Sequence, residues 1–229
     1  MYYNGMFYTI NNDEDYSKML AGIEVRKNEL SSLESKFWKS SSVKNDIEFI
    51  KKDIDGAEKA CEDYLKLKLQ LEKENLATIY KTNFKINGTS FRKKEVNKAI
   101  KFIDEDTPFE KYGGLKNKEI EEYGKTYKYE GFFTTDFHLL PEPMNEFDSN
   151  AVKVLINDYH VGYVPKEIAS ELQPLLINKS INYKTKGMVS IIGGPYKDFD
   201  YLEDKVVTIK NDFGFEVNLT LLDTDLLNK

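Results

Sequence analysis

Cysteine occurs once in the 229 residues, at Cys61, so no internal disulfide can form and a reducing compartment is the expected setting. No run of roughly 18 apolar residues exists, which leaves no segment suited to span a membrane as a helix. The N-terminus, Met1 to Ile10, has neither the basic start nor the apolar core of a signal peptide, and a cytoplasmic location is expected. Only His138 and His160 supply imidazoles, and neither joins a Cys or acidic cluster at zinc-ligand spacing. A Gly-rich phosphate loop is missing, since Gly193-Gly194-Pro195 reads as a turn, and no Gly-x-Ser-x-Gly elbow occurs. Carboxylates are plentiful, but abundance is not a pair with separated pKa values. These absences argue for a protein that is not an enzyme and uses no cofactor. Excess positive charge is lacking too: the net charge is −6. Residues 82–222 hold 19 Lys and Arg against 22 Asp and Glu. Proteins that bind nucleic acid mainly through phosphates are usually basic, so any such site here must be a local pocket.

What is present divides into two parts, residues 1–81 and 82–229. Hydrophobic residues make up 40% and aromatics 13%, enough for a core of ordinary size. Residues 1–11 are aromatic enough to form a strand packed on something else, a frayed terminus being the alternative. Asn12 is a helix cap, with Asp13, Glu14 and Asp15 in a first turn that favours negative charge. Tyr16, Ile23, Leu30 and Phe37 recur every seven residues, with Met19 and Leu33 beside them and Arg26 as an interruption. Ser40 to Ser42 break the run, and a second helix carries Val43, Ile47, Ile50, Ile54, Ala57, Cys61 and Tyr64. Two such helices predict an antiparallel hairpin in which position i faces roughly 81 − i, with Leu30 and Ile54 buried on the seam. At about 1.5 Å per residue the second helix outruns the first, so Leu69 to Ile79 needs a partner. The second part of the chain or another copy of the chain, as a homodimer, would supply it. Cys61, on the seam, reads as a small buried hydrophobe.

Lys81 to Asn83 marks the expected boundary. Phe84 and Ile86 then read as a strand end before the Asn87-Gly88 turn, and Phe91-Arg92-Lys93-Lys94 is the most basic cluster in the chain. Val96, Ala99, Ile100 and Ile103 predict a short amphipathic helix. Asp104 to Tyr129 reads as an insertion, with a Gly113-Gly114 turn and a helical piece from Asn117 to Tyr123. The most informative stretch is Leu139 to Pro165. Pro141 and Pro143 force a strand off its sheet. Asn145, Asp148, Ser149 and Asn150 build a polar loop through bonds to their own backbone. Val152, Val154 and Ile156 alternate as a strand, Asn157-Asp158 forms a two-residue turn, and Tyr159 to Val164 returns. Pro165 then suits the start of a helix from Lys166 to Leu176. Tyr183 to Ile192, Tyr201 to Ile209 and Phe213 to Leu222 complete the strands, and Thr224 to Lys229 is a tail.

Glu142, Pro143, Asn145, Phe147, Asp148, Asn150, Ala151 and Val154, followed by Val161, Gly162, Tyr163 and Val164, resemble the central motif of the HIRAN domain family. The resemblance extends over roughly residues 82–222, with Phe84 to Arg92 similar to the family's first strand. It implies an α+β protein in which the helical hairpin precedes a HIRAN-like, OB-related β-barrel with a short helix, the barrel being closed by Phe213 to Leu222. It also implies single-stranded DNA, including its 3′ end, as the partner; the low cysteine and the Lys-, Asn- and Ile-rich composition suit a protein of bacterial or phage type.

Single-strand binders combine exposed aromatics with a few cations. The candidate contacts are Phe91, Arg92 and Lys93 by the first strand, Phe147 and Asp148 in the loop, and Tyr163 and Lys166 after the glycine. In the family the aromatic-Asp pair contributes to the DNA site, the Asp accepting from a terminal 3′-hydroxyl. Three of these also have a plain structural reading: Phe147 as core, Asp148 as a turn cap, Lys166 as a solvated helix residue. A rival function is a scaffold assembled through the helices, with the second part binding a protein.

Overall fold

The computed structural model describes residues 2–3, 6–36 and 40–228, which fall into two compact units, Met1–Leu76 and Ala77–Lys229. In the first unit β1 (Tyr2–Tyr3) pairs antiparallel with β2 (Met6–Phe7). Helix α1 (Asp13–Glu34) starts where the Asn12 side chain accepts from the Asp15 amide at 2.9 Å. Helix α2 (Ser41–Ala77) follows, with the Ser40 hydroxyl accepting from the Val43 amide. Phe37, expected on the seam, lies outside the described residues.

Ile23, Ile50, Ile54, Ala57, Ala60 and Cys61 are buried together, with Tyr16, Met19, Leu30, Leu33 and Tyr64 partly buried against them. Leu30 is therefore at the seam's margin rather than in its centre. Asp13 meets Lys68, Lys27 meets Glu58 and Glu34 meets Lys51, so numbers rise along α1 as they fall along α2. Tyr16 also stacks on Tyr64, with ring centroids 5.5 Å apart. Arg26, the apparent break in the heptads, pairs with the buried Asp53. Tyr8 donates to the same carboxylate at 2.8 Å, and burial, then Asp53, push its hydroxyl pKa up to about 12. Gly56 makes this possible, because a Cβ there would stand 2.7 Å from the Tyr8 hydroxyl.

The second unit begins at Ala77, and β3 (Thr78–Lys85) starts earlier than the expected boundary at Lys81 to Asn83. The β-branched pair Thr78-Ile79 and the aromatic Tyr80 favour extended chain once α2 ends. Next come α3 (Lys93–Asp106), α4 (Asn117–Tyr123), β4 (Thr126–Tyr127) and β5 (Phe133–Thr134). Strands β6 (Phe137–Pro141), β7 (Val152–Ile156) and β8 (Tyr159–Tyr163) form an antiparallel meander before α5 (Lys166–Ile177). The chain ends with β9 (Tyr183–Gly193), β10 (Tyr196–Asp200), β11 (Lys205–Ile209), β12 (Phe213–Asp223) and α6 (Thr224–Leu227).

Closure into a barrel is not seen. The sheets are open, ordered β3-β12-β9-β5, β6-β7-β8 and β11-β10-β4. Strand β12, expected to close a barrel, is instead an interior strand paired on both sides, with Phe215, Val217, Leu219 and Leu221 facing the core. The expected strand from Tyr201 is a turn as far as Asp204, and β10 lies before it. The expected tail starts as the short helix α6.

Val96, Ala99, Ile100 and Ile103 of α3 and Leu172 of α5 share one core with Val152, Val154, Ile156 and Val161 of the meander. Asn157 and Asp158 turn between β7 and β8 with φ of 44° and 65°, the left-handed pair a two-residue hairpin needs. The four-stranded sheet meets the meander at one bridge, where Asn87 and Tyr163 exchange backbone hydrogen bonds of 2.9 Å each. Gly162 permits it: a Cβ at that position would overlap the Asn87 carbonyl.

Candidate functional site

The bridge between Asn87 and Tyr163 forms one wall of a pocket of about 390 Å³. Its lining includes Arg92, Asn145, Phe147, Asp148, Tyr163 and Lys166. The loop after Pro141 is held by local bonds. Asn145 accepts from the amides of Phe147 and Asp148 at 3.0 and 3.2 Å, and its own amide group donates to Glu142 at 3.2 Å. Asp148 accepts from the Asn150 amide at 2.9 Å, and its carbonyl accepts from Ala151. Gln173 of α5 fastens the loop by donating to the Ser149 carbonyl. A loop tied this way presents Phe147 outward, and that ring is 95% exposed. The ring is thus not core.

Tyr163 is fixed from several sides. Its hydroxyl donates to Glu142 at 3.1 Å, and Glu142 pairs with Lys153. The bond from Lys153, with help from Asn145 and Tyr163, holds the Glu142 carboxyl below its usual range. The Arg92 guanidinium carbon lies 5.1 Å from the Tyr163 ring centroid, within cation–π range. His160 packs edge-on to the same ring, with centroids 4.9 Å apart. Its Nε2 stands 3.3 Å from Arg92 Nε and 3.0 Å from the Gly162 carbonyl oxygen, and serves one of them at a time. Burial first, then the charges of Arg92 and Lys153, push the His160 pKa down, which keeps the ring neutral near pH 7.

Five of the seven sequence-predicted contacts therefore line one pocket: Arg92, Phe147, Asp148, Tyr163 and Lys166. Phe91 and Lys93 do not. The 3₁₀ turn Thr89–Arg92 leaves Phe91 88% exposed and off the pocket lining, while Lys93 pairs with Asp212 at 3.0 Å. Neither Arg92 nor Lys166 forms an ion pair with a carboxylate among the described residues. Asn87, Asn145, Glu142, Lys153 and His160 were not singled out as site residues from sequence. Asn145 and Glu142 sit inside the motif and were readable from it; His160 gave no signal beyond its strand.

The HIRAN domain family matches residues 122–208 of this chain. The match contains Phe147, Asp148, Tyr163 and Lys166 and begins after Arg92, so one wall of the pocket comes from outside the matched segment. No curated protein and no solved structure shows a significant similarity to the chain. Among the described residues no helix is long and apolar enough to cross a membrane.

Proposed function

We propose that this protein is a non-catalytic nucleic-acid-binding module that takes single-stranded DNA, or a DNA 3′ end, into the pocket between Arg92 and Phe147. HIRAN domains generally bind DNA at single strands or 3′ ends, and the match to residues 122–208 supports that class. The observation that carries the reading is the convergence of an exposed aromatic, Phe147, with two cations that form no carboxylate pair among the described residues, Arg92 and Lys166. An exposed ring offers a stacking face, and unspent cations answer phosphates. Asp148 caps its loop through one oxygen, and its carboxylate is available to a terminal hydroxyl through the other. The acidic balance of the chain makes the site local, so binding is expected to be selective for single strands over duplex.

The test is a binding titration with single-stranded, duplex and 3′-blocked oligonucleotides across a salt series. Preference for the free single-stranded end supports the reading. Single-strand affinity no tighter than about 0.1 mM at low salt, the level of non-specific binding, rejects it.

A second reading has its own observation. Leu65, Leu67, Leu69, Leu71 and Leu76 are exposed along the end of α2, as a scaffold or homodimer assembled through the helices would require. Light scattering on the full chain over a concentration series decides this: a monomer throughout removes the assembly claim.

A further inference from the structure

We propose that His160 is a positioning residue of the pocket: it orients the Arg92 guanidinium across the Tyr163 ring and leaves its charge for the ligand. This rests on the nucleic-acid reading above and adds a residue to it. An arginine aimed at a phosphate is commonly held by a carboxylate, which fixes the fork but also cancels much of its field. Here Arg92 has an aromatic face on one side, at 5.1 Å, and an imidazole nitrogen at 3.3 Å from Nε. A neutral ring can accept that hydrogen bond without adding negative charge. Arg92 then keeps its terminal amino groups, and its full positive charge, for a phosphate.

The neighbours of His160 explain why it takes this part. Arg92 faces it from the 3₁₀ turn, Lys153 from β7, Glu142 from the loop and Tyr163 from its own strand. The nearest carboxylate in this group, Glu142, is already engaged by Lys153, Asn145 and Tyr163. With its proton on Nδ1, the neutral imidazole is thus the acceptor left to Arg92. Adding a proton to the ring would end that role. A protonated Nε2 donates to the Gly162 carbonyl 3.0 Å away and can no longer accept from Arg92. Acidification should therefore weaken strand binding through Arg92, opposite to the usual gain when a histidine charges beside DNA.

The experiment measures the affinity of a labelled oligothymidylate with a free 3′ end at about pH 7.5 and about pH 5.5, with melting temperatures recorded for every variant. The proteins are the full-length wild type, His160→Leu, His160→Gln, Arg92→Ala and the His160→Leu/Arg92→Ala double variant. At the higher pH His160→Leu should weaken binding about three- to tenfold, the scale of one ordinary hydrogen bond, since the imidazole acts on the ligand only through Arg92. The same change should cost almost nothing once Arg92 is absent, because the two act as one unit. His160→Gln, whose side-chain oxygen accepts, should recover most of the loss and bind with less pH dependence than the wild type. An equal loss with and without Arg92, or no loss, overturns the proposal. If His160→Leu does not fold, the pH series decides alone. Wild-type affinity that falls with acidification, and falls less in Arg92→Ala, supports the role; an equal fall or a rise overturns it. Absence of wild-type binding at either pH would instead sink the nucleic-acid reading, a result distinguishable from failure of the His160 role alone.

Discussion

Where α1 and α2 meet, charges are matched: Asp13 with Lys68, Lys27 with Glu58, Glu34 with Lys51, Arg26 with Asp53. In the pocket of the second unit, Arg92 and Lys166 face no such partner among the described residues, and Phe147 stands in water. The first arrangement is electrostatically closed and the second is open. Exposed ion pairs add little stability, so the helices depend on Ile23, Ile50 and Ile54, and their charges mainly set which positions face each other. An open arrangement does the reverse. It forgoes internal compensation and keeps donors and a ring face for something outside the chain.

The sharpest way to break this comparison is to remove a seam residue. Ile54→Ala should destabilise the helical unit by about 2–5 kcal/mol in chemical denaturation, while Leu65→Ala, at an exposed position, should stay within about 0.5 kcal/mol. Equal losses would mean that the buried seam does not hold the helices.

Phe147→Ala comes next. A ring this exposed has little packing to lose, so the melting temperature should not move. Strand affinity should fall roughly ten- to a hundredfold, as expected for about 1–3 kcal/mol of base stacking. A lower melting temperature with unchanged affinity would make Phe147 structural after all.

Salt dependence separates open cations from a closed one. Lys166→Ala should reduce the slope of log affinity against log salt by about one, since one fewer counterion is released. Lys93→Ala should leave the slope nearly as it was, because Lys93 is occupied by Asp212. Equal effects would show that the ion pair does not withhold Lys93 from the ligand.

The smallest effect concerns pH and stability. His160 has a folded-state pKa below the ordinary imidazole value of 6.5, so the unfolded chain takes up its proton first as pH falls. The stability from its neutral form is present above about pH 6.5 and lost as pH falls through the lower folded value. Thermal melts between about pH 7.5 and 5.5 should show a shallower decline for His160→Gln than for the wild type. Parallel declines would place the loss elsewhere.

Local chemistry made much of this legible in sequence. The Asn12 cap, the four buried residues of α3 and the Asn157-Asp158 turn each depend on residues close in the chain. The motif also brought Phe147, Asp148, Tyr163 and Lys166 to one place. Distance in the chain hid the rest. Arg26 looked like a flaw until Asp53 and Tyr8 were set beside it. Lys93 looked like a site cation because Asp212 lies 119 positions away. Phe215, Val217, Leu219 and Leu221 alternate along the buried face of β12, but period-two patterning cannot name a strand's neighbours, and an interior strand was read as a closing one.

The pairing of β9 with β12 along all eleven residues of each has a practical bearing on how the protein is cut for expression. A fragment trimmed to the matched residues 122–208 would retain the Phe147 loop yet lose β12, β3 and the Arg92 wall. It would leave a long row of unpaired amides and carbonyls on β9 beside the apolar side chains of Val189 and Ile191. Bare edges of that kind seek other chains, and such a fragment is expected to precipitate. A fragment from Ala77 to the C-terminus keeps that edge covered, and is the smaller piece on which the pocket can be studied.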